Sequence, residues 1–255
     1  MQLKGKTVLI TGGASGIGLE AAKQFLDNGS SVIITGRNRG KLDEARKLYP
    51  AIVTIKSDVS DASDAQKLFN QVQHLGGIDI LYNNAGVLTD PINLGTANDQ
   101  HFEDAAYEIN VNYLGVIRLN NLFIDMLKSR KESAIINTTS LLSYVPSLLE
   151  ATYSASKVAL QFYTKALRKH LQILNSSVKV FELLPPLVAT DMTSGMNGKK
   201  ITTANMVKAF IAGLKKDQLT IRTGDTKVVY ILNRLFPKIT FNLANPKKSY
   251  NVIAS

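Results

Sequence analysis

The sequence predicts an α/β fold, a doubly wound, mostly parallel sheet with helices on both faces. Three observations carry that prediction. Short β-branched runs recur at Lys6–Thr11, Ser31–Thr35, Ile52–Lys56, Ile78–Tyr82, Ala134–Thr138 and Val178–Leu183. Stretches with apolar residues at helical spacing separate these runs. Runs and helical stretches alternate along the chain, with about 10 to 25 residues of helix between strands, which covers the sheet on both faces. Strands joined through helices imply right-handed crossovers and hence a parallel sheet.

Each helix follows from local signals. Gly16–Asn28 places Ile17, Ala21, Phe25 and Leu26 on one face and ends at Asn28-Gly29, a C-cap pair. Asp61 precedes a helix over Ala62–Leu75, which Gly76-Gly77 closes. A long helix is expected over Asp104–Leu127 and another over Thr152–Leu174. No repeat, low-complexity tract or Pro/Gly/Ser linker divides the 255 residues, so residues 1–255 read as one domain.

Composition narrows the function. With 45% hydrophobic and 20% charged residues, the chain has the make-up of a soluble globular protein. No apolar run approaches the roughly 20 residues of a membrane span. The absence of cysteine excludes a disulfide framework, a thiolate metal site and a cysteine nucleophile. His74, His101 and His170 stand apart without a second ligand at metal spacing, so no metal is expected. The start of the chain lacks the long apolar region of a secretory signal, and a cytoplasmic location is the expectation. The formal charge is +10, and residues 190–255 hold eleven Lys and Arg against three Asp. No zinc-finger spacing or RNA-binding aromatic motif accompanies this surplus. It reads as a solvated basic surface, with no nucleic-acid partner.

The first strand runs directly into Thr11-Gly12-Gly13-Ala14-Ser15-Gly16-Ile17-Gly18, whose last glycines open a helix. Glycines let a backbone turn sharply and approach a pyrophosphate, whose charge then meets the helix N-terminus. Gly12, Ser15, Gly16, Ile17 and Gly18 are therefore cofactor-binding candidates in a Rossmann-like fold. The turn resembles the TGxxxGxG element of the short-chain dehydrogenase/reductase family. Other family-like elements follow in order: Asp58-Val59 after the third strand, Asn83-Asn84-Ala85-Gly86 after the fourth, and Asn112 three residues before Gly115. Ser140 stands thirteen residues before Tyr153, which opens Tyr153-Ser154-Ala155-Ser156-Lys157. The resemblance covers about residues 3–192. It implies a cofactor held also by Asp58, Val59, Asn84, Ala85, Gly86, Pro185, Val188 and Thr190, and a catalytic set of Asn112, Ser140, Tyr153 and Lys157.

The chemistry of these residues agrees with that role. Tyr153 and Lys157 are i and i+4 on a helix and share a face. A free phenol has a pKa near 10, and a fixed ammonium nearby favours the phenolate. Lowering that pKa to about 7 requires roughly 4 kcal/mol of differential stabilisation. Ser140 is expected to hold the substrate oxygen. Asn112 is expected to support a proton relay toward Lys157, and Tyr153 and Lys157 also to touch the cofactor ribose.

Charge argues for the cofactor. The second strand ends Ile34-Thr35-Gly36-Arg37, with Gly36 where NAD-preferring relatives carry Asp. A guanidinium at Arg37 suits a 2′-phosphate, so NADP(H) is favoured over NAD(H). The expected activity is NADP(H)-dependent hydride transfer to or from a small-molecule carbonyl or alcohol. The competing reading is an NADP(H)-binding sensor or accessory protein without significant turnover.

Two features depart from the family pattern. Pro185-Pro186 replaces the usual Pro-Gly after the sixth strand, removing a donor and restricting Pro185. This pair, with Ile221–Gly224 and Tyr230–Leu235, resembles the family's DltE-like branch. Residues 190–255 are expected to form a substrate-side loop and a C-terminal extension. Within it, Asp225–Phe241 carries Val228, Val229, Ile231, Leu232, Leu235, Phe236, Ile239 and Phe241 among basic residues. The favoured reading buries this face against its own sheet or a neighbouring subunit of a homodimer or homotetramer. A pocket wall and a membrane contact rank below it.

Overall fold

The computed structural model describes residues 1–91, 93–247 and 250. Its seven-stranded sheet has the order β3-β2-β1-β4-β5-β6-β7, with every pairing parallel. The strands are β1 (Thr7–Thr11), β2 (Ser31–Gly36), β3 (Val53–Lys56), β4 (Ile80–Asn83), β5 (Ser133–Thr138), β6 (Val178–Leu184) and β7 (Thr220–Arg222). The helices are α1 (Gly16–Asp27), α2 (Arg39–Leu48), α3 (Ala62–His74), α4 (Asp99–Ile109), α5 (Gly115–Lys128), α6 (Ala151–Ile173), α7 (Thr203–Lys215), α8 (Thr226–Leu235) and α9 (Pro237–Ala244).

Neighbouring residues of each strand feed opposite cores. Val8 and Ile10 of β1 join Phe25, Leu42 and Phe210 on the α1, α2 and α7 side. Leu9 between them joins Leu68, Phe123 and Leu171 on the α3, α5 and α6 side. The rings of Tyr82 and Phe210 lie 5.1 Å apart in the first core, and those of Phe69 and Phe123 5.2 Å apart in the second. Leu42 and Phe123 have no exposed surface. A doubly wound sheet of this order reverses its winding between β1 and β4, and a crevice forms there at the strands' C-terminal ends.

The structure changes three expectations. The long helix over Asp104–Leu127 begins earlier, at Asp99, and contains a π-helical turn over Asn110–Leu114. Helices α2 and α7 and strand β7 are additions. Charged α2 buries only Leu42 and Ala45, and β7 has three residues, too few for a periodic signal. The tail does not pack its apolar row on its own sheet: Val228, Ile231, Leu235, Phe236 and Ile239 are all exposed. Among the described residues no helix is long and apolar enough to cross a membrane.

Candidate active site

Strand β1 delivers its chain to the crevice at Thr11. The Thr11 hydroxyl accepts hydrogen bonds from the backbone N–H groups of Asn84 and Ala85, both at 3.0 Å. Asn84 Nδ2 donates to the carbonyls of Thr11 (3.0 Å) and Gly12 (3.2 Å). The glycine turn and the loop after β4 are thus locked together. Gly12 has a φ of +62°, and a Cβ there would stand 2.9 Å from Ala85 Cα, so only glycine fits this joint. Helix α1 follows with Ser15 at its N-cap, no side-chain cap hydrogen bond and no acidic residue in its first turn. Its N–H groups and dipole make this end of the helix favourable for negative charge. Thr190 leans over this turn, with its Cγ2 3.2 Å from where a Gly16 Cβ would sit.

At the far end of the crevice, β2 places Arg37 beside Asp58. The guanidinium Nη1 lies 3.9 Å from Asp58 Oδ2 and donates to the Tyr107 hydroxyl at 2.5 Å. Asp58 Oδ1 accepts from Ser60 N (2.9 Å) and Ser60 Oγ (2.7 Å), which leaves the other oxygen toward Arg37. The Val59 carbonyl accepts from Arg118 Nη1 at 2.7 Å, fixing this segment to α5. A Cβ on Gly36 would meet nothing closer than 3.9 Å. Packing alone therefore does not exclude a carboxylate at Gly36.

The centre of the crevice gathers Asn112, Ser140, Tyr153 and Lys157. Ser140 sits just beyond β5 and caps the short 3-10 turn Leu141–Ser143, accepting from Leu142 N at 3.1 Å. The Ser140 side chain neighbours the Tyr153 phenol. Burial pushes the Tyr153 phenol up to about 12; Ser140 opposes this shift, and the charges of Glu108 and Glu150 add to it. Lys157 is 3% exposed and donates from Nζ to the Thr138 carbonyl at 3.0 Å, with Nζ 5.5 Å from the centre of the Tyr153 ring. Burial brings its ammonium down to about 8, against the upward pull of Glu108. An ammonium this close to the ring stabilises a phenolate.

Asn112 lies within the π-helical turn and is fully buried. Its Oδ1 accepts from Val87 N at 2.8 Å, and its Nδ2 donates to Val87 O (3.0 Å) and Ser156 Oγ (3.1 Å). Ser156 Oγ donates in turn to the Tyr153 carbonyl at 2.7 Å. The side chain of Asn112 therefore joins the loop after β4 to the helix that carries Tyr153 and Lys157. Insertion of a π turn at such a place offsets the backbone from the α-helical ladder.

A family model described as short chain dehydrogenase matches residues 6–200. The chain belongs to the short-chain dehydrogenase family. The oxidoreductase DltE of Bacillus subtilis is 35% identical over 228 residues, covering 87% of this chain and 89% of that protein. An NADPH-dependent 1-acyldihydroxyacetone phosphate reductase of Schizosaccharomyces pombe is 35% identical over 192 residues, 74% of this chain and 62% of the relative. A short chain dehydrogenase from Burkholderia cenocepacia, solved with NADP, superposes with a TM-score of 0.84 at 25% identity, covering 96% of this chain and 99% of its own. One from Burkholderia phymatum, solved with NAD, gives 0.83 at 20% identity, covering 94% and 96%.

The residues present fit the nicotinamide cofactor of short-chain dehydrogenases. The uncapped α1 N-terminus suits a pyrophosphate. The chain at Gly86 passes close to the catalytic side chains, where a Cβ would stand 3.3 Å from Asn112 Oδ1 and 3.5 Å from Lys157 Nζ. The Pro185-Pro186 departure finds its counterpart here. Pro185 retains its carbonyl as acceptor for Leu141 N at 3.0 Å. Pro186 packs on Gly224, whose φ is +57° and whose Cβ, if present, would stand 2.9 Å from Pro186 Cγ. Val188 is 3% exposed and bridges Ile201, which closes residues 190–200 into a loop beside the crevice.

Three residues make contributions that the sequence motifs did not assign. Thr11 serves as the acceptor that joins two loops. Tyr107 holds Arg37. Glu108 is 1% exposed, and its Oε1 accepts from Thr89 N and Thr89 Oγ1. Its position four residues before Asn112 puts it on the same helical face, a signal available in the sequence.

Proposed function

We propose that this short-chain dehydrogenase is an NADP(H)-dependent oxidoreductase of the cytoplasm, acting on a small-molecule carbonyl or alcohol with Tyr153 as general acid/base. The observation that carries this reading is the convergence of the Tyr153 phenol, with Ser140 beside it, and the buried ammonium of Lys157, whose Nζ lies 5.5 Å from the Tyr153 ring centre. A sensor or accessory protein has no need of that pairing.

The residues that would hold the cofactor are Gly12, Ser15, Gly16, Ile17 and Gly18 at the pyrophosphate. Asp58 and Val59 would hold the adenine, and Asn84, Ala85 and Gly86 would line the cofactor between the glycine turn and Lys157. Tyr153 and Lys157 would hold the ribose, and Pro185, Val188 and Thr190 the nicotinamide, Val188 and Thr190 at its carboxamide. When bound, the nicotinamide supplies or accepts the hydride. In the reducing direction Ser140 orients the substrate oxygen and Tyr153 gives it the phenolic proton. The pKa near 12 keeps that proton in place at neutral pH. Lys157 then stabilises the phenolate, and Asn112 keeps the Lys157 helix and the loop after β4 in register.

The preference for NADP(H) rests on Arg37 and on the lack of a carboxylate at Gly36. The fission yeast relative described as NADPH-dependent adds support. Exposed Phe102, Leu114 and Phe162 on the α4–α6 helices support assembly into a homodimer or homotetramer. The test of activity is a panel of aldehydes, ketones and alcohols followed by NADPH absorbance. Turnover that requires Tyr153 is expected. Tight NADPH binding with no turnover across the panel would favour the sensor.

A further inference from the structure

Helices α8 and α9 pack on each other and carry their apolar rows into solvent. Val228, Ile231 and Leu235 stand on α8. Phe236, Ile239 and Leu243 continue the row through the junction and α9, and all six are between 46% and 68% exposed. Spacings of three and four residues put each set on one helical face. Monomeric soluble proteins rarely leave large side chains clustered in this way without a partner. The same segment is cationic. Lys227, Arg234, Lys238 and Lys247 are exposed, and no acidic residue follows Asp225 in the sequence. Every ion pair among the described residues lies elsewhere.

These two properties select the occupant. A second copy seated on this face by a two-fold axis would set the same cations against one another, because such an interface pairs a patch with itself. An anionic phospholipid surface answers both properties: apolar rows enter the acyl boundary while lysine and arginine meet headgroups. With ten and eight residues, the two helices fall short of the roughly 20 residues needed to span. We propose that α8–α9 form a peripheral docking surface for an anionic phospholipid bilayer.

The surface is tied to the catalytic framework. Asn233 Nδ2 donates to the Tyr144 carbonyl (2.7 Å), Asn245 Nδ2 donates to the Pro146 carbonyl (3.0 Å), and Leu148 N donates to Asn245 Oδ1 (2.7 Å). Arg222 adds a hydrogen bond from Nε to the Tyr144 hydroxyl (2.9 Å) and stacks on Tyr230, 4.2 Å from the ring centre. These contacts fasten α8–α9 to the backbone between Ser140 and Tyr153. An open groove of about 450 Å³ lies at the seam, bordered by Val145, Pro146, Pro237 and Phe241. Docking therefore sets the bilayer beside the segment that joins the two catalytic positions.

The experiment is co-sedimentation of the full chain with sucrose-loaded vesicles, either phosphatidylcholine alone or with about 30% phosphatidylglycerol, at about 0.15 M salt. The parent is expected to sediment with the anionic vesicles and several-fold less with the neutral ones. Reversing Lys227→Glu and Lys238→Glu should weaken binding by at least about fivefold per site, as expected for loss of one cation near such a surface. Ile231→Asp with Leu235→Asp should abolish it. Circular dichroism and NADPH titration of each variant verify that the fold and cofactor site persist, so a failure there is separable from a failure of docking. Absence of sedimentation with anionic vesicles would overturn the proposal. So would a loss of particle mass in light scattering for Ile231→Asp/Leu235→Asp with vesicle binding unchanged, which would assign the face to a second copy.

Discussion

Two hydrogen bonds from Thr89, one from its N–H at 2.9 Å and one from its hydroxyl at 3.0 Å, end on the same oxygen of Glu108. The other oxygen, Oε2, is buried and has no hydrogen-bond partner among the described residues. One turn later Asn112 grips Val87, so successive turns of one helix hold the loop after Gly86. The same carboxylate raises the pKa of both Lys157 and Tyr153. Glu108 is thus a positioning residue with an electrostatic reach into the site.

Glu108→Gln separates those two effects. The amide oxygen still accepts from Thr89, while the charge is gone. Without that charge Lys157 loses its proton at lower pH, so the alkaline fall in reduction rate should move toward neutrality. A pH–rate profile checks this, and an unmoved inflection with a lowered rate would mean a purely structural role. Glu108→Ala, which also frees Thr89, should additionally raise KM.

In the parent, the reduction rate should fall as pH rises through about 8, where Lys157 loses its proton. A neutral amine no longer stabilises the phenolate formed when Tyr153 gives up its proton. The linked effect on stability has the opposite sign. Lys157 is held below its ordinary 10.5, so its contribution is fully present above that value and is lost as pH falls through about 8. The stability difference between parent and Lys157→Met should accordingly shift in the parent's favour from pH 8 to 10.5. Denaturant titration at several pH values would show it, and a flat difference would contradict the buried ammonium.

Tyr153→Phe should reduce turnover by about a hundred- to ten-thousandfold, the usual worth of a positioned acid/base. NADPH affinity should stay within a few-fold, because the ring and Lys157 remain. Lys157→Ala should harm both rate and affinity. Retention of most of the parent rate by Tyr153→Phe on a verified substrate would remove Tyr153 from the mechanism.

Cofactor choice is testable at two neighbouring positions. Arg37→Ala should weaken NADPH binding by about ten- to a hundredfold while leaving NADH nearly unchanged, since charge-assisted contacts contribute about 1.5–3 kcal/mol. Gly36→Asp has open space around its new side chain and should shift preference toward NADH. Fluorescence titration with both cofactors measures each effect. Equal affinities in the parent would refute the assignment of Arg37.

Thr11→Val keeps the shape of a 1%-exposed side chain but removes the acceptor for Asn84 N and Ala85 N. Leaving such buried donors unpaired costs about 1–3 kcal/mol. Thermal unfolding should reveal that loss, together with weaker cofactor binding as the two loops separate.

The strand runs, the glycine turn and the Tyr153–Lys157 spacing were legible because each is a local code. Side chains of a strand covered on both faces are mostly apolar, a sharp turn at a helix start needs glycine, and i and i+4 share a helical face. Asn112 and Ser140 were marked by the resemblance to the family, not by local code. Local code did not reveal the π turn around Asn112, because the turn satisfies packing between α4, α5 and α6 rather than any periodicity of its own. It missed α2, whose burial rests on Leu42 and Ala45, and it did not give Thr11 its role, because the hydroxyl meets Asn84 and Ala85 beyond the neighbouring strand β4.

The tail separates the two kinds of information most clearly. Amphipathicity in Asp225–Phe241 is a property of residue order, and the sequence alone determined it. Which way that apolar row faces depends on what α8 and α9 pack against. The tertiary structure fastens their polar side, through Asn233 and Asn245, to the backbone after Ser140, and turns Leu235 and Ile239 outward. Hydrophobic burial has no direction of its own. Only the hydrogen bonds made by neighbouring segments decide which apolar face meets the core and which is left for a partner.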